Sequence, residues 1–248
     1  MCDLFALSAG KQYSAPDALT VFAMRARKNM DGWGIGYFRR NRAFVEKSFE
    51  HVFVEGRFHD SFERLSRVVN SRLIIAHVRF RTSGFIDECH AHPFVLHFGG
   101  RDWLFAHNGK APSIEAYLTG GDPIQCAVSD SARTFEFLRD RLMDEYSLAW
   151  TKTTLFDALL AATASLVDQY PGNYNYVLCN GSVLFAFSNH RQFMILRGIE
   201  EKRGALLLTT VEKGLSNENW IRVARSGSSQ GVLLAIAGGD LVMRQGLG

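Results

Sequence analysis

The second residue of the chain combines a nucleophile with a possible base. Cys2 directly follows the initiator Met1. Removal of Met1 by the usual aminopeptidase exposes a free α-amine on a residue that carries a thiol. This amine has a reference pKa of about 7.7–8.0, so at neutral pH it can take the thiol proton directly or through water. Cys2 is therefore a candidate nucleophile that carries its own base and needs no histidine partner.

A second segment offers donors for a developing oxyanion. His107-Asn108-Gly109 follows a predicted strand and presents the side-chain amide of Asn108 beside the backbone N–H of Gly109. The glycine has no Cβ, so its backbone allows close approach, and acyl transfer needs such donors at the developing negative charge. Taken alone, an Asn-Gly pair is more often a turn.

Two further residues carry charges suited to an amino-acid substrate. Arg79 lies at the end of an apolar strand and can hold a carboxylate through its planar guanidinium. Asp130 lies at a predicted helix start and can accept an ammonium group. Each has a simpler interpretation, a salt-bridged arginine and a helix N-cap. Together they suggest a clamp for a zwitterionic amino acid.

The composition excludes several other classes of protein. The 248 residues are 47% hydrophobic and 21% charged, and 28 Lys+Arg against 25 Asp+Glu give a net charge of +3. This balance argues against nucleic acid or an anionic membrane as the main partner. The longest apolar run, Leu155–Val167, contains Asp157 and is shorter than the ~20 residues of a spanning helix. We expect one domain over residues 2–248, because no linker divides the chain. We expect it in the cytoplasm, because the N-terminus lacks the basic start of a secretory signal.

The four cysteines are spread along the chain without a C-x-x-C pair, at positions 2, 89, 126 and 179. In a chain of this length with no predicted signal peptide, this pattern favours free thiols and argues against a disulfide framework. Cys89, Cys126 and Cys179 are therefore expected to be ordinary thiols.

The predicted elements follow the order strand, helix, strands, helices, strands. In the first part they are Cys2–Ser8, the helix Pro16–Arg27, the hairpin Trp33–Arg39 and Arg42–Phe49 with a turn at Arg40-Asn41, the helix His59–Val69, and the strands Arg72–Phe80, Val95–Phe98 and Asp102–Ala106. Two long helices follow, from Ser129 toward Met143 and over Thr153–Val167, and after Pro171 come the strands Asn175–Cys179, Val183–Phe187, Gln192–Leu196, Ala205–Thr210, Val232–Ile236 and Leu241–Arg244. This order suits a layered α+β domain with two antiparallel sheets.

Taken together and in order, the motifs resemble the class II (N-terminal nucleophile) glutamine amidotransferases, most closely the YafJ type that includes the EgtC-like hydrolases. The segments that carry the resemblance are Met1-Cys2-Asp3-Leu4, Asp31-Gly-Trp-Gly-Ile-Gly-Tyr37, Ala76-His-Val-Arg79 with Thr82-Ser83-Gly84, His92-Pro-Phe94, Phe105-Ala-His-Asn-Gly109 and Ser129-Asp-Ser131. Weaker matches continue through Asn175-Tyr-Val-Leu and Val211-Glu-Lys to Trp220, so the resemblance covers nearly the whole chain.

The resemblance implies a four-layer αββα sandwich, the Ntn-hydrolase fold, with Cys2 as the first residue of the mature chain. Cys2 would attack the side-chain amide of glutamine, form a γ-glutamyl thioester and release ammonia, and water would then free glutamate. The family's roles would fall on Asn108 and Gly109 as the oxyanion hole, Arg79 for the glutamine α-carboxylate with Thr82 and Ser83 nearby, Asp130 for the α-amine, and His92 for a structural role or a wall of the substrate site. The segment Asp31–Gly36 would lie near the nucleophile, where glycines let the backbone approach the substrate. No cofactor is implied.

Three departures from the family pattern bear on substrate and partner. Ala132 stands where the family often has Glu, and Arg81 stands where a small residue is usual. Strand alternation would put Arg81 on the face of Arg79, unless it lies past the strand end. No synthase domain follows in the sequence. We therefore expect either a separate ammonia-acceptor enzyme as partner or simple amide hydrolysis; a homodimer is compatible with the family.

Three alternatives remain open. The first is a metal site at Asp87-Glu-Cys-His-Ala-His92 with His97, where His90 and His92 would share one face of an extended segment. The second is an inactive amidotransferase-like scaffold that binds a metabolite or a partner protein. The third is a γ-glutamyl amide larger than glutamine as substrate, with Trp33, Phe80 and Phe94 lining a wider pocket.

Overall fold

The computed structural model describes residues 2–25, 28–82, 84–124, 128–145, 150–197, 204–210, 220–223 and 230–248. Four α-helices lie in the described part of the chain: α1 (Pro16–Arg25), α2 (Asp60–Val68), α3 (Asp130–Asp144) and α4 (Lys152–Gln169). A short 3-10 helix covers Pro112–Ala116. None of the described helices is long and apolar enough to cross a membrane.

Most of the strands form two sheets. The seven-stranded sheet runs in the order β13 (Ile221–Arg222), β11 (Met194–Arg197), β12 (Ala205–Thr209), β1 (Asp3–Tyr13), β6 (Ser71–Val78), β2 (Trp33–Arg39) and β3 (Arg42–Ser48). The six-stranded sheet runs in the order β15 (Asp240–Leu247), β14 (Gly231–Ala237), β10 (Leu184–Ser188), β9 (Asn175–Cys179), β8 (Arg101–His107) and β7 (Phe94–Phe98). A separate hairpin pairs β4 (Phe53–Val54) with β5 (Arg57–Phe58). Neighbouring strands in both sheets are antiparallel.

Alternation along β1 shows how the layers form. Leu4 and Ala6 point into the core between the two sheets, whereas Phe5 and Leu7 point to the opposite face. There they pack with α1 residues such as Phe22, whose ring centroid lies 5.6 Å from that of Phe5. Because successive side chains of a strand face opposite ways, a strand buried on both faces is apolar throughout, as β1 is in this stretch.

The second sheet is covered in the same way by the other two long helices. Phe135 and Leu138 of α3 and Leu159 of α4 pack on the face of Phe105 and Tyr176. The layers are thus helices, sheet, sheet and helices. The predicted αββα sandwich with two antiparallel sheets, the Ntn-hydrolase fold, is confirmed.

The predicted hairpin between β2 and β3 is also confirmed. Arg40 and Asn41 have positive φ angles of 49° and 63°, the conformation that a two-residue type I′ turn requires at both central positions. Asn is one of the residues that tolerate this region. Arg39 pairs directly with Arg42 across the turn.

One cysteine prediction is wrong. Cys2 and Cys179 are free and buried, but Cys89 is disulfide-bonded. A disulfide needs two Cα atoms about 5.5–6 Å apart, and this proximity is set by the fold rather than by spacing along the sequence. Cys126 lies outside the described residues.

Candidate active site

Cys2 lies at the start of β1, where the sheet register places it beside the end of β6. Asp3 pairs with Val78, so Cys2 comes opposite the residues that follow β6. The Cys2 Sγ accepts a hydrogen bond from the Phe80 N–H at 3.2 Å and donates to the Phe80 carbonyl at 3.1 Å. The thiol is thus held by the segment that contains Arg79.

The surroundings of the Cys2 thiol keep it protonated. Burial raises its pKa to about 11, although the backbone of Phe80 and the charge of Arg79 act in the opposite direction. A thiol in this state needs a base before it can attack a carbonyl carbon.

Arg79 is buried and hydrogen-bonded to two other chain segments. Its N–H donates to the Gly32 carbonyl at 2.8 Å, its carbonyl accepts from the Asp31 N–H at 3.1 Å, and its Nη1 donates to the Phe85 carbonyl at 2.7 Å. Burial lowers the pKa of Arg79, and the Cys2 thiol and nearby carboxylates of Asp31 and Asp87 oppose that shift. The segment Asp31–Gly36 therefore lies beside the nucleophile, as predicted.

The glycines of that segment serve a different purpose from the one expected. A Cβ at Gly34 would lie 2.1 Å from the His92 carbonyl oxygen, and one at Gly36 would lie 2.9 Å from the Pro93 Cγ. These glycines let the His92-Pro93 backbone approach β2. The sequence pattern alone did not distinguish this close backbone contact from contact with a substrate.

Asn108 directly follows β8 and reaches the N-terminal residue. Its N–H donates to the Asn175 carbonyl at 2.7 Å, and its side-chain Nδ2 donates to the Cys2 carbonyl. At Gly109 a Cβ would lie only 1.8 Å from the Asn173 carbonyl oxygen, so this position requires glycine. The structure thus brings Cys2, Arg79 and Asn108 together.

Asp130 is the first residue of α3 and is buried. Ser129 caps the helix, with its Oγ accepting from the Ala132 N–H at 3.2 Å. The Asp130 carboxylate accepts from the Ala111 N–H at 2.9 Å and from the Ser131 N–H at 2.8 Å. Ser129 rather than Asp130 is therefore the N-cap, and two backbone donors fix the position of the Asp130 carboxylate.

Three buried histidines lie in the interior behind these groups. His92 Nδ1 is 3.2 Å from His77 Nε2, and His107 Nδ1 is 2.9 Å from the Ser131 hydroxyl. Burial lowers the pKa of His77 to about 3 and lowers those of His92 and His107 as well. His92 packs edge-on against Phe94, at a centroid distance of 4.6 Å. It is a buried residue next to the site, with its ring between His77 and Phe94.

The remaining predicted positions differ in exposure. Thr82 and Arg81 are exposed, and β6 ends at Val78, so Arg81 lies past the strand end. The Arg81 N–H donates to Asp31 Oδ2 at 2.7 Å. Ser83 lies outside the described residues. Ala132 is buried under the cap of α3.

The candidate metal ligands have separate partners. His90 Nδ1 lies 2.6 Å from Asp87, His97 Nδ1 lies 2.7 Å from Asp102, and His92 contacts His77. In the part of the chain that the structure describes, no group of three potential ligands could hold a metal ion. His90 and His92 therefore have different partners, Asp87 and Val128 for His90 and His77 for His92.

The three aromatic residues predicted to line a wider pocket lie in different surroundings, and Phe94 lines a cavity of about 520 Å³ together with Lys47 and Pro93. Trp33 and Phe94 are buried in the core, and only Phe80 is substantially exposed. A separate cavity of about 590 Å³ borders the site, with Asp31 and Ile86 among its lining residues.

Sequence reasoning missed Arg191, which contacts the N-terminal residue directly. Its Nη1 lies 3.1 Å from the Cys2 carbonyl oxygen and 3.0 Å from Asp3 Oδ1. Asp3 had a signal of its own, an acidic residue in an otherwise apolar strand. Arg191 had none, because it lies in a polar turn between two strands and contacts a residue 189 positions away.

The αββα fold, with a buried cysteine at the start of β1 beside Arg79 and Asn108, defines a class of protein with a candidate N-terminal cysteine nucleophile. The family model described as glutamine amidotransferases class-II matches residues 1–206. The chain therefore belongs to the class II glutamine amidotransferases.

Several known proteins are similar to this chain. YafJ of Escherichia coli K12 is 25% identical over 228 residues, covering 88% of this chain and 85% of YafJ. An uncharacterized protein of Methanocaldococcus jannaschii is 27% identical over 192 residues, covering 77% of this chain. The chain spans only 52% of that relative and 66% of a similar protein from Haemophilus influenzae.

Solved structures share the fold. A predicted glutamine amidotransferase from Pseudomonas aeruginosa has a TM-score of 0.67 at 19% identity, with 98% of this chain and 100% of that chain covered. Glutamine phosphoribosylpyrophosphate amidotransferase from B. subtilis has a TM-score of 0.63 at 15% identity, with 99% of this chain and 49% of that chain covered.

Proposed function

We propose that this chain is a cytoplasmic amidohydrolase, a single domain over residues 2–248, that cleaves the γ-amide of glutamine or of a γ-glutamyl amide through a thioester on Cys2. The observation that supports this most strongly is the position of Cys2: its thiol is bonded to the backbone of Phe80, next to Arg79, and its carbonyl accepts from the Asn108 side chain. Removal of Met1 is required, since it frees the α-amine of Cys2 as the base.

In the first half of the reaction, the Cys2 α-amine takes the thiol proton while Sγ attacks the amide carbon. The carbonyl oxygen becomes an oxyanion that accepts hydrogen bonds from the Asn108 side-chain amide and the Gly109 N–H. The C–N bond then breaks, and the protonated α-amine gives its proton to the leaving nitrogen. A γ-glutamyl thioester and ammonia, or an amine, result.

In the second half, the α-amine takes a proton from water as the water oxygen attacks the thioester carbon. The same two donors hold the second oxyanion. The C–S bond breaks, glutamate leaves, and the proton returns to Sγ. No atom of the enzyme is consumed, and the high pKa of the Cys2 thiol favours its return to the protonated state.

Substrate binding is assigned to charges of opposite sign. Arg79 would hold the α-carboxylate and Asp130 the α-ammonium, with Thr82 and Ser83 beside Arg79 and His92 in the wall behind. These groups contact only the glutamyl part of the substrate and do not constrain the leaving amine. Ammonia could therefore pass to a separate acceptor enzyme or simply be released. The cavity of about 590 Å³ that is lined by Asp31 and Ile86 would offer space for a larger leaving amine.

The test is the intact mass of the purified protein with and without a diazo ketone analogue of glutamine. We expect loss of Met1 and one adduct on Cys2, together with hydrolysis of glutamine. Cys2→Ala should abolish both the adduct and hydrolysis while the protein stays folded. Cys179→Ala is the matched control, because it removes the second free buried thiol among the described residues and should leave one adduct.

Asn108→Ala examines the oxyanion hole. Loss of one such donor typically costs about 2.7–4 kcal/mol of transition-state stabilisation, so kcat should fall by about 10²- to 10³-fold. Retained Met1, or no adduct on the wild-type protein, would instead support a non-catalytic scaffold that binds a metabolite or partner.

A further inference from the structure

The Arg191 side chain joins the N-terminal residue to two other parts of the fold. Arg191 lies between β10 and β11, yet its Nη1 donates to both the Cys2 carbonyl at 3.1 Å and Asp3 Oδ1 at 3.0 Å. Its Nη2 donates to the Thr210 carbonyl at 2.5 Å. One guanidinium therefore contacts three acceptors, two at the start of β1 (Cys2 and Asp3) and one directly after β12 (Thr210).

The backbone of Arg191 is fixed before the side chain reaches these acceptors. Its N–H donates to Asn175 Oδ1 at 2.9 Å, and its carbonyl accepts from Asn175 Nδ2 and from the Ser188 hydroxyl. Asn175 itself opens β9 in the second sheet. Since the guanidinium is planar and its base is held, little side-chain freedom is left to lose, and the direction of its donors is set by the fold.

Asp3 is the charge that Arg191 meets. Its Oδ1 also accepts from the Thr210 hydroxyl at 3.2 Å, and its Oδ2 accepts from Asn29 Nδ2 at 3.0 Å. Burial raises the pKa of Asp3, and the charge and hydrogen bond of Arg191 counter that shift. All of these partners donate, so they favour the ionised carboxylate.

We propose that Arg191 is a positioning residue of the reaction, which fixes the Cys2 carbonyl and neutralises Asp3 beside the reacting N-terminal residue. This inference rests on the proposed function. With Asn108, Arg191 gives the Cys2 carbonyl two donors on its single oxygen, and this restricts rotation of the Cys2 backbone. Both the thiol and the nitrogen of Cys2 are carried by that backbone.

The second effect of Arg191 is electrostatic. Among the described residues, the charged groups near Cys2 include Asp3 on β1, Arg191 before β11 and Arg79 after β6. Asp31, before β2, accepts from the Arg81 N–H, and Asp31, Asp87 and Arg81 act on the charge of Arg79. An unpaired Asp3 carboxylate would stabilise an ammonium at the adjacent Cys2 nitrogen. Pairing with Arg191 cancels that charge, so the α-amine remains neutral, and hence basic, at lower pH.

The experiment follows the rate of Cys2 alkylation by the diazo ketone, and of glutamine hydrolysis, from pH 5 to 9. In Arg191→Gln, we expect the maximal rates to fall by about tenfold. We also expect the acidic limb of the pH–rate profile to shift to higher pH by about one unit, a typical shift for one nearby charge. Arg191→Lys keeps a charge but cannot reach all three acceptors, so its rates should fall without that shift.

Asp3→Asn should shift the pH–rate profile in the opposite direction to Arg191→Gln. This variant removes the negative charge, so the acidic limb of its pH–rate profile should move to lower pH. In the double variant Asp3→Asn/Arg191→Gln both charges are absent, so the acidic limb should return toward the position found in the wild type. Arg197→Gln, an exposed arginine at the end of β11, is the matched control and should leave rates and limb unchanged.

The outcomes separate this inference from the proposed function. A wild-type protein that is not alkylated on Cys2 at any pH overturns the proposed function and the inference with it. Normal alkylation of the wild type with an unshifted limb in Arg191→Gln overturns the inference alone, even if the rates fall. If Arg191→Gln does not fold, the shift in Asp3→Asn and the lowered rates of Arg191→Lys decide.

Discussion

The reactivity of Cys2 depends on its proton more than on its exposure. Because burial raises its pKa to about 11, the thiol is almost entirely protonated at pH 7. The buried histidines His77, His92 and His107 are weak bases, because burial lowers their pKa values. In the proposed function the base is the α-amine of Cys2, whose reference pKa of about 7.7–8.0 suits proton transfer at neutral pH.

Arg79 should contribute mainly to binding. Its guanidinium is buried next to the thiol, and in the proposed function it meets the α-carboxylate of glutamine. Hydrogen bonds to charged groups are worth about 1.5–3 kcal/mol, so Arg79→Gln should raise KM for glutamine by about 10- to 100-fold with a smaller change in kcat. Steady-state kinetics with glutamine measure both values.

Arg72→Gln is the control for Arg79→Gln, since Arg72 is an exposed arginine on β6, the strand that directly precedes Arg79. Its kinetics should match the wild type. A fall in kcat with unchanged KM in Arg79→Gln would instead place the guanidinium in the transition state and contradict a binding role.

Among individual residues, those with a distinctive chemical role could be predicted from the sequence. Cys2, Arg79 and Asn108 could each be picked out by residue type and by a place at a strand end, and the structure brings them together. Arg191 could not, because an arginine in a polar turn has many surface roles. Its contact with Cys2 exists only when β10, β11 and β12 are in place.

The ends of the elements set the geometry of the site. The Asp3–Val78 register of β1 and β6 puts Cys2 beside Phe80, and the end of β8 puts Asn108 beside Cys2. The start of α3 holds Asp130. Each functional side chain therefore depends on a strand or helix terminus, where a shift of one residue would displace it.

The N-cap of α3 provides a test at this scale. Ser129→Ala removes the acceptor of the Ala132 N–H, which should cost about 1 kcal/mol and lower Tm by about 2–4 °C. Because Asp130 is the next residue, we also expect a higher KM for glutamine. Thermal unfolding and steady-state kinetics give the two readouts.

Thr151→Ala is the matched variant, since Thr151 caps α4 in a similar way and makes no contact with the site residues described above. It should lower Tm by a similar amount and leave KM unchanged. Equal effects of both variants on KM would show that general destabilisation, rather than the placement of Asp130, is responsible.

The longer elements could be predicted because their apolar patterns and turns are strong. Asn175–Cys179 has the predicted bounds, and α4 extends one residue earlier and two later than predicted. The two-residue strands could not be predicted: β13 exists only by pairing with β11, and β4 pairs with β5 across a turn in which Glu55 has a positive φ of 50°. Such pairs have too few residues for a periodic pattern.

At the scale of the whole molecule, the two sheets enclose ionisable groups as well as apolar side chains. His77 is fully buried between apolar neighbours on β6, and its Nδ1 is buried without a hydrogen-bond partner among the described residues. His92 and His107 are buried nearby. The folded state therefore strongly favours neutral imidazoles, and its stability is tied to pH.

The sign of this dependence follows from the pKa shifts. In the unfolded chain each histidine titrates near 6.5, whereas in the folded protein the pKa of His77 is about 3 and those of His92 and His107 are also lowered. Below pH 6.5 the unfolded state binds more protons, so the free energy of unfolding falls as pH falls toward the folded pKa values. Each such histidine contributes up to about 1.4 kcal/mol per pH unit.

His77→Gln should therefore flatten the pH dependence of stability as well as lower stability itself. Between pH 6 and 5 the wild type should lose about 1 kcal/mol more than His77→Gln, measured by urea unfolding at each pH. His51→Gln, at an exposed histidine, should leave the slope unchanged. Parallel slopes for the wild type and His77→Gln would mean that His77 can be protonated inside the folded sandwich, contrary to its burial between the sheets.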